Sequence, residues 1–274
     1  MSGPAVALLV LFFLVPLGIM ALYSFYTRIP SGFESTLTLE NYRRFFESPV
    51  YREVVWRTLR LAGITTVVSL VASYPLAYWL ARSNPRWLTL ALFALVLSFW
   101  TSVVIRSFAW LVLLGQNGVV NDALGLVGLG PFHLIYNELG VVIGLVHVMI
   151  PYMVFPLYAS LRAIDPSVEQ AAEGLGAPPW RRFLRITLPL SLPGLLGGSV
   201  LVFIITSGFF LTPALLGGGR VPVVATFVQE QVGLLNYPFA SVLSVMLLVI
   251  VLAVVAVFHR LVGVGRLARG FDAG

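Results

Sequence analysis

Six apolar runs organise the chain, at 4–26, 58–81, 87–110, 139–161, 189–212 and 241–262, with polar or glycine- and proline-rich stretches between them. Runs this long with so few charges read as membrane-spanning helices, because about 20 residues rising 1.5 Å each cross a hydrocarbon core of about 30 Å. Pro16, Pro75, Pro151, Pro156 and Pro193 fall inside the runs. Membrane helices tolerate them, since neighbouring helices satisfy the freed carbonyls. The pattern predicts an all-α polytopic membrane protein of six transmembrane helices, a single domain over 1–274. Residues 27–57 read as an external segment, with a helical stretch from about Leu39 to Arg60 that is interfacial or external.

The polar stretch at 162–188 has its own periodicity. Asp165 suits an N-cap and Pro166 the first helical position. Val168, Ala171, Ala172 and Leu175 then fall on one side of a short helix, flanked by Glu169 and Glu173. Gly174 and Gly176 end it, because glycine takes the left-handed turn at little cost. Pro178 and Pro179 start a second helix, Trp180 to Thr187, with Phe183 and Ile186 toward the protein and Arg181, Arg182 and Arg185 toward water. A helix anchored in lipid carries bulky apolar side chains on its buried face. Ala171 and Ala172 instead permit close approach by another protein.

Charge sets the orientation. All 17 basic residues are arginine. Arg82 and Arg86, Arg162, Arg181, Arg182 and Arg185, and Arg260, Arg266 and Arg269 share one side, which the positive-inside rule makes cytoplasmic. The other eight arginines lie opposite, most of them in 27–60 beside Glu34, Glu40, Glu47 and Glu53. The two shortest loops decide the near-even tally. The 162–188 loop is then cytoplasmic, as are both termini.

Composition removes whole classes of function. Only 10% of residues are charged, against roughly 25% in soluble domains. The net charge of +6 suits anionic lipid rather than nucleic acid. With no cysteine there is no disulfide, thiol nucleophile or cysteine metal site. His133, His147 and His259 lie in separate segments, so neither a metal cluster nor a catalytic constellation is expected. No carboxylate falls mid-span; Asp122, Glu138 and Glu230 sit in loops or at span ends. An ion-coupled carrier usually needs such a group, so the energy for any pumping comes from another subunit. The first apolar run has no basic region before it and does not read as a signal peptide.

The 162–188 loop resembles the cytoplasmic signature of permease subunits of binding-protein-dependent (type I) ABC importers, E-A-A-x3-G-x9-I-x-L-P. Ala171, Ala172, Gly176, Ile186, Leu188 and Pro189 match at the required spacing. The leading acid is replaced by Gln170, with Glu169 one position early. The stretches 98–106, 144–158 and 209–218 are similar to the first permease subunit of spermidine/putrescine importers, and the similarity runs from about 37 to 260. The resemblance implies a coupling helix, Glu169, Gln170, Ala171, Ala172, Glu173, Leu175, Gly176 and Ala177, seated on an ATP-binding subunit. It implies a second homologous permease in a heterodimer, two ATP-binding subunits that carry ATP and Mg, an extracytoplasmic solute-binding protein, and a bacterial inner membrane. No cofactor is expected on this chain, which lacks the G-x-x-x-x-G-K-[ST] loop of an ATPase.

A polyamine path needs aromatic faces for ammonium groups. Trp100, Trp110, Tyr152, Phe209 and Phe210 supply candidates, and Arg106 is costly in lipid and so expected to face the bundle interior. Arg106 also keeps open an importer of anionic or other small solutes: a phosphonate, an opine or amino-acid-like compound, or ferric iron.

Overall fold

The computed structural model describes residues 3–29 and 32–262. Arg266 and Arg269, which contributed to the orientation argument, lie outside the described residues. Of the described residues, 78% are helical, and they divide into two compact units: one from the N-terminal part to Leu59 with Pro222–Phe258, and one of Arg60–Val221 with the last described turn from His259.

The first unit begins with α1 (Gly3–Tyr23), an apolar helix whose Phe12 and Phe13 are exposed, as lipid-facing side chains are. The following residues form an antiparallel hairpin, β1 (Tyr26–Ile29) with β2 (Gly32–Leu37), pairing Arg28 with Phe33. The apolar periodicity did not reveal this hairpin, because its strands are short and half-exposed. Next comes α2 (Glu40–Glu47). Asn41 on α2 donates to the carbonyls of Ser24 (3.2 Å) and Tyr26 (2.9 Å), holding the helix against the start of the hairpin. Ser48 and Pro49 then interrupt the 39–60 stretch, and α3 (Pro49–Arg82) runs on unbroken for 34 residues. The expected interfacial helix is therefore α2 alone, and the second span starts about nine residues earlier than its apolar pattern suggests.

After α3 leaves for the second unit, the first unit is completed by α12 (Val224–Gly233) and most of α13 (Tyr237–Val262). Phe45, Tyr51, Val54, Val224, Phe239, Val242 and Leu243 form its core, with the Arg44 guanidinium 4.4 Å from the Phe239 ring centre. Thr58 is buried there. Its hydroxyl donates to the Val54 carbonyl (2.8 Å) and accepts from the Val224 N–H (3.0 Å), satisfying the start of α12. Thr58→Val keeps the shape but orphans that N–H, so it should lower the melting temperature of the purified protein by about 4 °C. An unchanged melting curve would show that water replaces the hydroxyl.

The second unit contains the rest of α3, then α4 (Pro85–Trp100), α5 (Val103–Leu113), α6 (Val119–Leu126), α7 (Glu138–Arg162), α8 (Pro166–Gly174), α9 (Pro179–Leu190), α10 (Leu192–Ser207) and α11 (Leu211–Gly217). Met149, Met153, Val154, Leu157 and Leu161 of α7 form its core with Ala77, Leu80 and Val202. Helices α3, α7 and α13 are each long and apolar enough to cross a membrane unbroken.

Two of the expected spans are not single helices. The run 87–110 bends by 98° between α4 and α5. Thr101 is extended there, and the Ser102 hydroxyl caps α5 by accepting from the Val104 N–H at 3.2 Å. A hydroxyl that bonds the local backbone competes with the helical ladder. The run 189–212 likewise starts in α9, bends by 63° into α10, and ends at Ser207 before α11 begins. Pro193 has no N–H to offer the Pro189 carbonyl, and its ring crowds that oxygen.

Candidate functional site

α7 ends at Arg162, which donates to the Ala81 carbonyl at 3.0 Å and so ties its last turn to that of α3. Asp165 caps α8 by accepting from the Ser167 N–H at 2.8 Å. That hydrogen bond holds the Asp165 carboxyl below the usual carboxylate range. Gly174 proves to be the last helical residue rather than a terminator. The turn is made by Gly176 alone, at φ +79°. Its N–H donates to the Glu173 carbonyl (2.8 Å) and the Ala177 N–H to the Ala172 carbonyl (3.0 Å). This paired closure satisfies the last carbonyls of α8.

α9 restarts at Pro179, and Phe183–Thr187 within it forms a π-helical turn. Phe183 packs edge-on against Tyr74 (5.5 Å) and Tyr78 (6.3 Å) of α3. The Tyr74 hydroxyl meets the Ser191 hydroxyl at 2.8 Å, at the bend into α10.

Both carboxylates of α8 pair with arginines of the second unit, and Glu169 turns inward to do so. Glu169 is ion-paired with Arg82 at the end of α3 and accepts from the buried Thr187 hydroxyl at 2.6 Å. The Arg82 guanidinium also lies 3.7 Å from the Tyr78 ring centre. Glu173 accepts from Arg182 of α9 at 2.6 Å. Gln170, Ala171 and Leu175 remain exposed, Leu175 at 88%, with Val168 and Trp180 beside them in sequence order and also exposed. Ala172 and Ala177 are half-buried. The segment is thus fastened on one side and presents small and apolar side chains uncovered on the other. Arg82 and Thr187 did not stand out in the sequence. Arg82 is 87 residues from Glu169, and no periodicity links them.

The candidate path residues do not converge on one cavity among the described residues. Tyr152 meets Phe99 edge-on at 5.0 Å and, like Phe209, packs against the α7 core. Trp110 meets His147 at 5.7 Å, and both line an apolar groove of about 560 Å³ with Leu61, Val68 and Val142. Trp100 is 85% exposed and Phe210 is also exposed. Arg106 lies on α5 with a buried Nε that has no hydrogen-bond partner.

A family model described as the binding-protein-dependent transport system inner membrane component matches residues 61–264. The chain is 36% identical over 256 residues to a spermidine/putrescine transport system permease protein of Haemophilus influenzae, covering 92% of this chain and 89% of that one. Among solved structures, a bacterial ABC transporter involved in the import of the acidic polysaccharide alginate superposes with a TM-score of 0.76 at 20% identity, covering 95% of this chain and 93% of its counterpart. The alginate transporter in complex with a periplasmic protein bound to alginate pentasaccharide gives 0.74 at 18% identity, covering 92% of this chain and 89% of that one. These superpositions concern the fold.

Proposed function

The chain belongs to the family of binding-protein-dependent transport system inner membrane components, and from that premise we propose that it is the permease of an ATP-driven polyamine importer whose motor docks on α8. Its role is translocation across the inner membrane. ATP and Mg belong to two partner subunits, a second permease completes the path, and a solute-binding protein delivers cargo from outside. The 162–188 loop and both termini face the cytoplasm.

One observation carries the docking reading: α8 is closed by a glycine turn, tied to α3 through Glu169 and to α9 through Glu173, and left uncovered at Ala171 and Leu175. An apolar face that is tied down beside it and uncovered among the described residues has the form of a protein interface. ATP binding draws the motor subunits together, the coupling segments follow, and the spans rock to open outward; hydrolysis resets them.

The polyamine assignment is supported by the 36% identity to a spermidine/putrescine permease and by the aromatic group of Tyr152, Phe99 and Phe155 on α4 and α7, whose ring faces attract ammonium groups. Arg106, with its unpartnered Nε, favours a second reading, an importer of an anionic solute. The complete assembly in proteoliposomes separates them. Binding protein loaded with spermidine or putrescine should raise ATP turnover about tenfold, while the protein offered a phosphonate or an opine should not. Stimulation by the anion alone would replace the polyamine assignment.

A further inference from the structure

We infer that Arg82 and Glu169 form the link through which the coupling segment moves α3. The inference rests on the docking reading above and assigns this pair a positioning role within it. α8 follows α7 and precedes α9 and α10 in the chain, so a push on α8 reaches those helices through the backbone. α3 has no such continuity with it. Its C-terminal turns are instead joined by side chains: Arg82 pairs with Glu169, the Ala81 carbonyl accepts from Arg162, and Tyr74 and Tyr78 receive Phe183.

Glu169 is the point where three helices meet. Its Oε1 takes both the Arg82 guanidinium from α3 and the Thr187 hydroxyl from α9. The side chains of Arg82 and Glu169 are 33% and 21% exposed, so water screens the pair less than it screens a surface ion pair. Arg82 is held besides by the Tyr78 ring beneath it. The other α8 carboxylate differs: Glu173 is 66% exposed and its partner Arg182 lies on α9, a helix already connected through the turn at Gly176. Only the Glu169 pair, among the described ion pairs of α8, reaches a helix outside the coupling segment.

The sequence shows the same assignment of charge. The leading position of the signature holds the exposed Gln170, and the acid stands one residue earlier. One residue turns a side chain by about 100° round a helix. Here the carboxylate faces inward, toward α3, rather than the uncovered side. When the motor pulls α8, the pair carries α3 along. With the pair broken, α7 and α10 still follow, while α3, left with the Arg162 and Phe183 contacts and its packing on α7, follows incompletely, and ATP is consumed with less rearrangement of the spans.

The test uses the complete assembly in proteoliposomes and reads solute uptake and ATP turnover together. Glu169→Gln keeps an acceptor for Thr187 and loses the ion pair, and Arg82→Gln removes the other partner. Each should lower uptake per ATP about tenfold while the motor subunits still co-purify and turnover stays within about twofold of the native rate. The exchange Arg82→Glu with Glu169→Arg should recover most of the loss. Thr187→Val should leave the ratio nearly unchanged; an equal loss there would move the link to α9 and overturn the assignment. Native uptake per ATP in both single variants, or no recovery in the exchange, would also overturn it. If the assembly with the native chain shows no ATP-driven uptake, the docking reading itself fails, and this inference with it.

Discussion

Gly176→Val should abolish ATP-coupled uptake while the protein still inserts and purifies as a folded chain. Two properties of the position separate these outcomes. Its φ of +79° lies in the left-handed region, where a β-branched residue is strongly disfavoured. A Cβ there nevertheless meets nothing within 4 Å. The cost therefore falls on the shape of the turn and not on packing within the unit. Opening the turn breaks the Gly176 and Ala177 hydrogen bonds, re-aims Leu175, and tilts α8 relative to α9. The uncovered face then no longer presents Ala171 and Leu175 together. Strain of about 1–2 kcal/mol at one residue leaves the unit folded, and its effect is concentrated on the face that the proposed function assigns to docking. The expected result is a fall of at least about tenfold in uptake and loss of the motor subunits on co-purification. Gly176→Ala should fall between Val and the native residue. Native uptake in the valine variant would remove α8 from the coupling path.

The 165–177 segment was the most legible part of the sequence, and the reason is local. N-cap, proline start, small-residue face and glycine stop each depend on neighbours within about four residues, so Asp165, Pro166, Ala171 and Gly176 could be read directly. Helix ends between spans were less legible. Apolar runs record burial in lipid rather than helical continuity, so 87–110 read as one span although Ser102 caps a new helix inside it. Pro193 was visible but gave no direction, since prolines are tolerated in some membrane helices, such as Pro151 and Pro156 within α7, and bend others. The hairpin at 26–37 left no trace in an apolar tally because neither strand is fully buried on one face. The Glu169–Arg82 pair was out of reach for another reason. It depends on how α3 and α8 meet in space, and in the sequence Arg82 is one more loop arginine supporting the cytoplasmic assignment.

The contact between α7 and α10 yields the second large expected effect, with a control in the same helix. Without a hydrophobic drive between helices in lipid, close association depends on small residues that let backbones approach. Gly194 and Gly198, four residues apart, face α7, and both are buried. A Cβ at Gly194 would fall on the Pro156 carbonyl oxygen and within 2.5 Å of the Ser160 Cβ. That oxygen belongs to the backbone of α7 and cannot rotate away. The Gly194 N–H donates to the Ser160 hydroxyl at 3.2 Å, and it loses that partner if the helices part. Gly194→Ala should therefore separate the helices and cost about 3 kcal/mol. At Gly198 the nearest atom is the Met153 sulfur, 2.9 Å from the added Cβ, on a flexible side chain that can move, so Gly198→Ala should cost about 1 kcal/mol. Gly197 faces open space, and Gly197→Ala should be neutral or slightly stabilising, by up to about 1 kcal/mol of helix propensity. Melting temperatures of the three purified variants should follow Gly197, Gly198 and Gly194 in descending order. Because α7 leads into α8 and α9 leads into α10, parting at Gly194 should also depress coupled uptake, whereas Gly197→Ala should not. Equal melting temperatures for Gly194→Ala and Gly197→Ala would show that this helix pair does not need its closest approach.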